Sequence, residues 1–121
     1  MPPWAADTAV GINSAIHFAI AFGEIFLWNR VYPRLKQFAF TEKEAAKARP
    51  IVANAGLYNA FIAAGLLWSL VAGDDHLRYF FLLCVVIAGV FGAVTLKTSK
   101  TLALQTLPAF LAILLVWLPK L

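Results

Sequence analysis

Four long apolar runs, held apart by short polar stretches, organise the chain at about residues 8–31, 51–72, 79–96 and 102–118. Each is close to the ~20 residues that an α-helix needs to cross a hydrocarbon core. The third run, "YFFLLCVVIAGVFGAVTL", has no polar stripe. A helix on the surface of a soluble bundle would show one on its outward side. The pattern therefore predicts an all-α fold, a bundle of four transmembrane helices in a polytopic integral membrane protein. The first run should stop before "YPRLK", where Pro33 opposes further helix. A polar connector, residues 32–50, follows. Within it Thr41 and Glu44 have the three-residue spacing of a capping box. That spacing predicts a short amphipathic helix from Glu42, leading through Pro50 into the second span. "GDDHLR" and "KTSK" supply the remaining turns.

Composition narrows this picture. The 121 residues are 62% hydrophobic and 13% charged, against roughly 45–50% and about 25% in soluble domains. Four spans with short loops use the whole length, so residues 1–121 form a single membrane domain. The N-terminus, "MPPWAADTAV", lacks the Lys or Arg of a signal-peptide n-region, so the first span is expected to stay in the protein. The lone Cys84 excludes an intrachain disulfide, and no Cys/His spacing suggests a metal site. Charge gives the orientation. Arg30, Arg34, Lys36, Lys43, Lys47 and Arg49 flank the first loop, and Lys97 and Lys100 the third; the other side has Arg78 and Lys120. Basic residues gather on the cytoplasmic side, so both termini should face outward, in a bacterial inner (cytoplasmic) membrane crossed several times. The net charge of +4 then reflects topology, and nucleic acid is not an expected partner. Trp4, Trp68, Trp117 and Tyr79 would mark the outer interface, Trp28 and Tyr32 the inner one.

Several polar residues lie inside the spans, where they are costly and often functional. At 100° per residue, Asn13, His17, Glu24 and Trp28 share one face of the first helix. Asn54, Tyr58, Gly65 and Trp68 share another on the second, and Asn59 points about 140° from Asn54. At ~1.5 Å per residue, Glu24, Asn54, Tyr58 and Gln105 fall about 6–12 Å from the inner end and can form one layer; His17 lies about 21 Å deep. The two titratable residues of the first helix should therefore not share a partner. Asn13, a water or a ligand would satisfy His17. Two overlapping small-residue pairs in the third span, Ala88 with Gly92 and Gly89 with Ala93, permit close helix approach, within the chain or between copies. No catalytic motif is present.

"HFAIAFGEIFLW", "NAGLYNAFIAAGLLWSL", "CVVIAGVFGAVT" and "LALQTLPAFLAILL" together resemble the small bacterial membrane proteins grouped as domain of unknown function 1304. The resemblance runs from about Ser14 to Leu115 and matches His17, Glu24, Trp28, Asn54, Gly56, Tyr58, Asn59, Gly92 and Gln105. Ala55 departs from it, standing where the family commonly has Gln. The resemblance implies a four-helix membrane protein and no particular activity. Three functions fit the residues. The first is binding of a lipophilic or amphipathic small molecule in a polar intramembrane pocket near the cytoplasmic side. His17, Glu24, Asn54, Tyr58, Asn59 and Gln105 would line that pocket, and Glu24 would be the proton donor or acceptor if there is catalysis. The second is a small subunit of a larger membrane complex, or a homo-oligomer. The third is a proton-coupled transporter. Membrane lipids are the partners common to all three.

Overall fold

A computed structural model describes residues 2–121. Its α-helices are α1 (Pro3–Phe26), α2 (Trp28–Val31), α3 (Glu42–Ala72), α4 (Asp75–Thr95) and α5 (Leu107–Trp117). Four helical stretches are long and apolar enough to cross a membrane: Pro3–Phe26, Glu42–Ala72, Asp75–Thr95 and Leu102–Lys120. Their outward faces carry large apolar side chains such as Phe22, Phe80, Phe91 and Val94, all more than half exposed. The chain is a multi-pass membrane protein. α1 packs on α3 and α5, and α4 packs on α3 and α5, which closes a four-sided bundle.

Local sequence explains the helix limits. α1 begins five residues earlier than the apolar run, because prolines at 2 and 3 suit a first turn whose N–H groups lack partners anyway. It breaks at Leu27 (φ −120°, ψ 24°), and α2 restarts with Trp28. α3 is capped as expected. The Thr41 hydroxyl accepts from the Glu44 N–H at 3.1 Å, and the Glu44 carboxylate accepts from the Thr41 N–H at 3.0 Å. The expected separate amphipathic helix does not exist, because α3 continues through Pro50 as one 31-residue helix. Only one backbone bond is lost at the proline. α3 ends at Gly73, whose φ of 62° closes the turn, and α4 is capped by Asp74.

The fourth span does not start as an α-helix. Leu102–Thr106 is a π-helical turn, in which the Leu107 N–H reaches the Leu102 carbonyl. Pro108 has no N–H to offer Leu104, which breaks the α ladder at this point. Two threonines then fasten the turn to α4. Thr101 Oγ1 donates to the Gly89 carbonyl at 2.8 Å, and Thr106 Oγ1 to that of Val86 at 3.1 Å. A Cβ on Gly89 would meet the Thr106 backbone N and the Thr101 carbonyl at 2.9 and 3.0 Å. The small-residue face of α4 is thus used within the chain.

The packed core lies toward the termini. Val10, Leu66, Leu82, Val85, Ala109, Ala112 and Val116 form it. Beyond it Arg78 pairs with Asp7 at 2.8 Å and with Asp75 at 3.4 Å, and Lys120 also pairs with Asp75. The half of the bundle near the connector lacks such a core, and the functional candidates lie there.

Candidate functional site in the connector half of the bundle

α1 and α3 approach closely at Gly56. A Cβ there would meet Ile25 Cγ1 at 2.8 Å, Glu24 Cβ at 3.0 Å and the Ala21 carbonyl at 3.2 Å. This approach lets Asn59, one turn farther along α3, reach two residues of α1. Asn59 Nδ2 donates to Glu24 Oε1 at 2.8 Å and to the Ala55 carbonyl at 3.2 Å. Its Oδ1 lies 3.1 Å from His17 Nδ1. His17 is 2% exposed, and its Nε2 is buried without a hydrogen-bond partner among the described residues. The expectation that His17 and Glu24 do not share a partner is therefore corrected. They do not touch one another, but one amide placed between their depths bridges both. Asn13, offered as a partner for His17, instead donates to the carbonyls of Ala9 and Pro108 at 2.9 and 3.1 Å.

Two adjoining cavities, about 510 and 500 Å³, open beside Glu24. They share Glu24, Trp28, Leu35, Leu104 and Gln105. One lies toward α3 and the connector, bounded by Phe38, Phe40, Ile51 and Val52. The other lies along α1, bounded by Ile16, Ile20 and Gly23. Both owe their space to the two helix irregularities. The break at Leu27 turns the chain away one turn after Glu24, and the π turn is fastened to α4 rather than to α1. Gln105, carried by that turn, therefore faces the same space as Glu24.

The end of the cavity is aromatic. Trp28 is buried, and its indole N–H donates to the Ala45 carbonyl at 2.8 Å. Its ring meets Phe40 edge-on at 5.8 Å, and Phe38 stacks on Phe40 at 5.3 Å. Ala39, between these two phenylalanines, adopts φ 47°, a left-handed conformation costing a non-glycine residue roughly 1–2 kcal/mol. Lys100 Nζ donates to Gln37 Oε1 at 3.1 Å, which joins the connector to the third loop. Trp28, on the same face of the first helix as Asn13, His17 and Glu24, turns its ring inward beneath α3.

The structure thus brings together four of the six expected binding residues: His17, Asn59, Glu24 and Gln105. It does not bring Asn54 or Tyr58 to them. Asn54 is exposed and Tyr58 is 60% exposed, with its ring against Phe61; neither lines these cavities. They lie on the outward side of α3, because Gly56 and Asn59 take the side that faces α1. Sequence reasoning missed Leu104, Phe38 and Phe40. The alternating aromatics of "QFAF", in an otherwise polar connector, were the available signal. No curated protein and no solved structure matches the chain. A family profile matches residues 11–117, a span that includes both helix irregularities and every polar residue of the site, and the chain belongs to that family, described as protein of unknown function (DUF1304).

Proposed function

We propose that the protein binds an amphipathic or lipophilic small molecule in the cavity beside Glu24. One observation carries the reading. A space of about 510 Å³ with mostly apolar walls carries a carboxyl and an amide, Glu24 and Gln105, and, toward the connector and third loop, Gln37, Thr98, Lys100 and Thr101. Ligand pockets typically measure about 300–1,000 Å³ and combine apolar walls with a few placed polar groups. The head group would sit between Glu24 and Gln105, and the apolar part would lie against Leu35, Leu104 and Ile51. The excess of Lys and Arg around the connector and third loop supports a cavity on the cytoplasmic side of a bacterial inner membrane, with both termini outside. Mass spectrometry of protein extracted in mild detergent tests the reading. Wild type should retain a bound molecule. Leu104→Trp should lose it, because Leu104 lines both cavities yet is 48% exposed and lies outside the core. Equal retention by both proteins, or none by either, would refute it.

A second reading, assembly with another copy or a larger complex, draws support from Asn54. An exposed amide on the outward face of a span is usually satisfied by a neighbouring helix. Asn54→Leu should then shift the detergent-extracted particle to a smaller size, and an unchanged particle would count against assembly through this face. The transporter reading draws less support. The Asn59 amide separates His17 from Glu24, and an amide passes a proton only by way of its high-energy imidic acid form.

A further inference from the structure

The polar end of the cavity has a fixed hydrogen-bond polarity, and we propose that it selects amphiphiles whose head group donates a hydrogen bond, a hydroxyl or an amine on an apolar chain. The proposal rests on the ligand-binding reading above and specifies its ligand. Asn59 sets the polarity. Its two amide hydrogens go to Glu24 Oε1 and to the Ala55 carbonyl. A peptide carbonyl can only accept, so the amide cannot be turned the other way round. Asn59 Oδ1 is then left facing His17 Nδ1, and that nitrogen must carry a hydrogen.

With Glu24 ionised and His17 neutral, the donors of this chain are spent inside it, and both of its ends are acceptors. One end is His17 Nε2, buried without a partner among the described residues. The other is the second oxygen of Glu24, the residue that lines both cavities. His17 lines neither cavity, so the exposed end is that of Glu24; an ether, ester or carboxylate head placed against it would set acceptor against acceptor, which is costly where no water intervenes. A hydroxyl or amine would complete the set. Gln105 adjusts to either, because its amide both donates and accepts. Lys100 also lines the first cavity, where one of its three N–H groups goes to Gln37 at the connector end; the donor rule concerns a head group seated on Glu24.

The test uses the full chain in lipid nanodiscs with Trp4, Trp68 and Trp117 replaced by Phe. These three are 47–66% exposed, and Trp28 remains as the fluorophore on the cavity wall. The probes are a terminally brominated undecanol, the corresponding amine and the corresponding methyl ether, each corrected for its partition into the nanodisc. Bromine quenches indole at close range. The alcohol, the amine or both should quench Trp28 at concentrations at least about tenfold lower than the ether, the scale set by one unsatisfied buried polar group. Preference for the alcohol alone would indicate a neutral head, and for the amine alone a charged one; either supports the donor rule. Glu24→Gln keeps an acceptor for Asn59 but offers the cavity an NH₂ group, so the preference should fall to about unity or reverse. Equal quenching by alcohol, amine and ether would overturn the proposal while leaving the ligand-binding reading intact; a Glu24 that donates rather than accepts would give that result. An unchanged preference in Glu24→Gln would also overturn it. No quenching by any probe would overturn the ligand-binding reading and the proposal with it.

Discussion

Asn59 shows how much depends on one side chain. It bridges two residues of α1 that lie two turns apart, and three contacts fix its orientation. Hydrogen bonds between membrane helices contribute only about 0.6 kcal/mol on average, so the bridge is better understood as positioning than as stabilisation. It has a direct spectroscopic consequence. In wild type, neutral His17 should be the Nδ1–H tautomer, with an unprotonated Nε2. Nitrogen NMR of selectively labelled histidine would observe this, with His76 replaced to leave one signal set. Asn59→Leu should release the constraint and populate both tautomers. A wild-type spectrum showing Nε2–H would contradict the assigned polarity. The polar face of α1 was legible in the sequence, since 100° spacing put Asn13, His17 and Glu24 together. Asn59 as their common partner was not. Its depth between His17 and Glu24 follows only from the α1–α3 contact at Gly56.

At the scale of elements, the site depends on two departures from regular helix, the break at Leu27 and the π turn at Leu102–Thr106. Local interruptions of this kind recur at functional sites. The π turn should be sensitive to its seat on α4. Gly89→Ala would push a Cβ into the backbone of the turn, and such overpacking typically costs about 1–3 kcal/mol, read as a lowered Tm in detergent. Gly92→Ala should be milder, because its Cβ meets only the Thr101 side chain, at 3.2 Å and beyond. Equal effects would argue against the backbone seat. The connector offers a second check. The Thr41 N–H that donates to Glu44 holds this carboxyl below the usual glutamate range. A lowered carboxyl pKa makes the cap complete above the ordinary glutamate range and loses it as pH falls through the lowered value. The Thr41 amide resonance should titrate with a midpoint below that ordinary range, and Glu44→Gln should abolish the titration. The cap was legible because Thr41 and Glu44 carry a short-range signal. The π turn was hidden because Pro108 permits several distortions, and only docking on Gly89 selects this one.

For the molecule as a whole, order is unevenly distributed. The half near the termini has the apolar core and the Arg78 ion pairs, and the half near the connector has the cavities. Hydropathy made the four spans legible, because length and apolar content alone define a span. The cavity was not legible, because it is a gap between α1, α3, the connector and the fourth span. In a Cys84→Ser background, Lys47→Cys should be shielded in intact cells from a membrane-impermeant thiol reagent, and His76→Cys should react. The reverse pattern would invert the topology and move the cavity to the outer side. This gap should hold a particular molecule rather than bulk lipid, and site-specific photo-crosslinking identifies its occupant in place. A photoreactive amino acid replaces Leu104, which lines both cavities, or Phe91, which is 68% exposed on α4. Adducts formed in native membranes are then identified by mass spectrometry. Position 104 should capture one dominant species that is minor or absent at position 91. The same bulk-lipid adducts at both positions would mean that the gap holds ordinary lipid and no selected ligand.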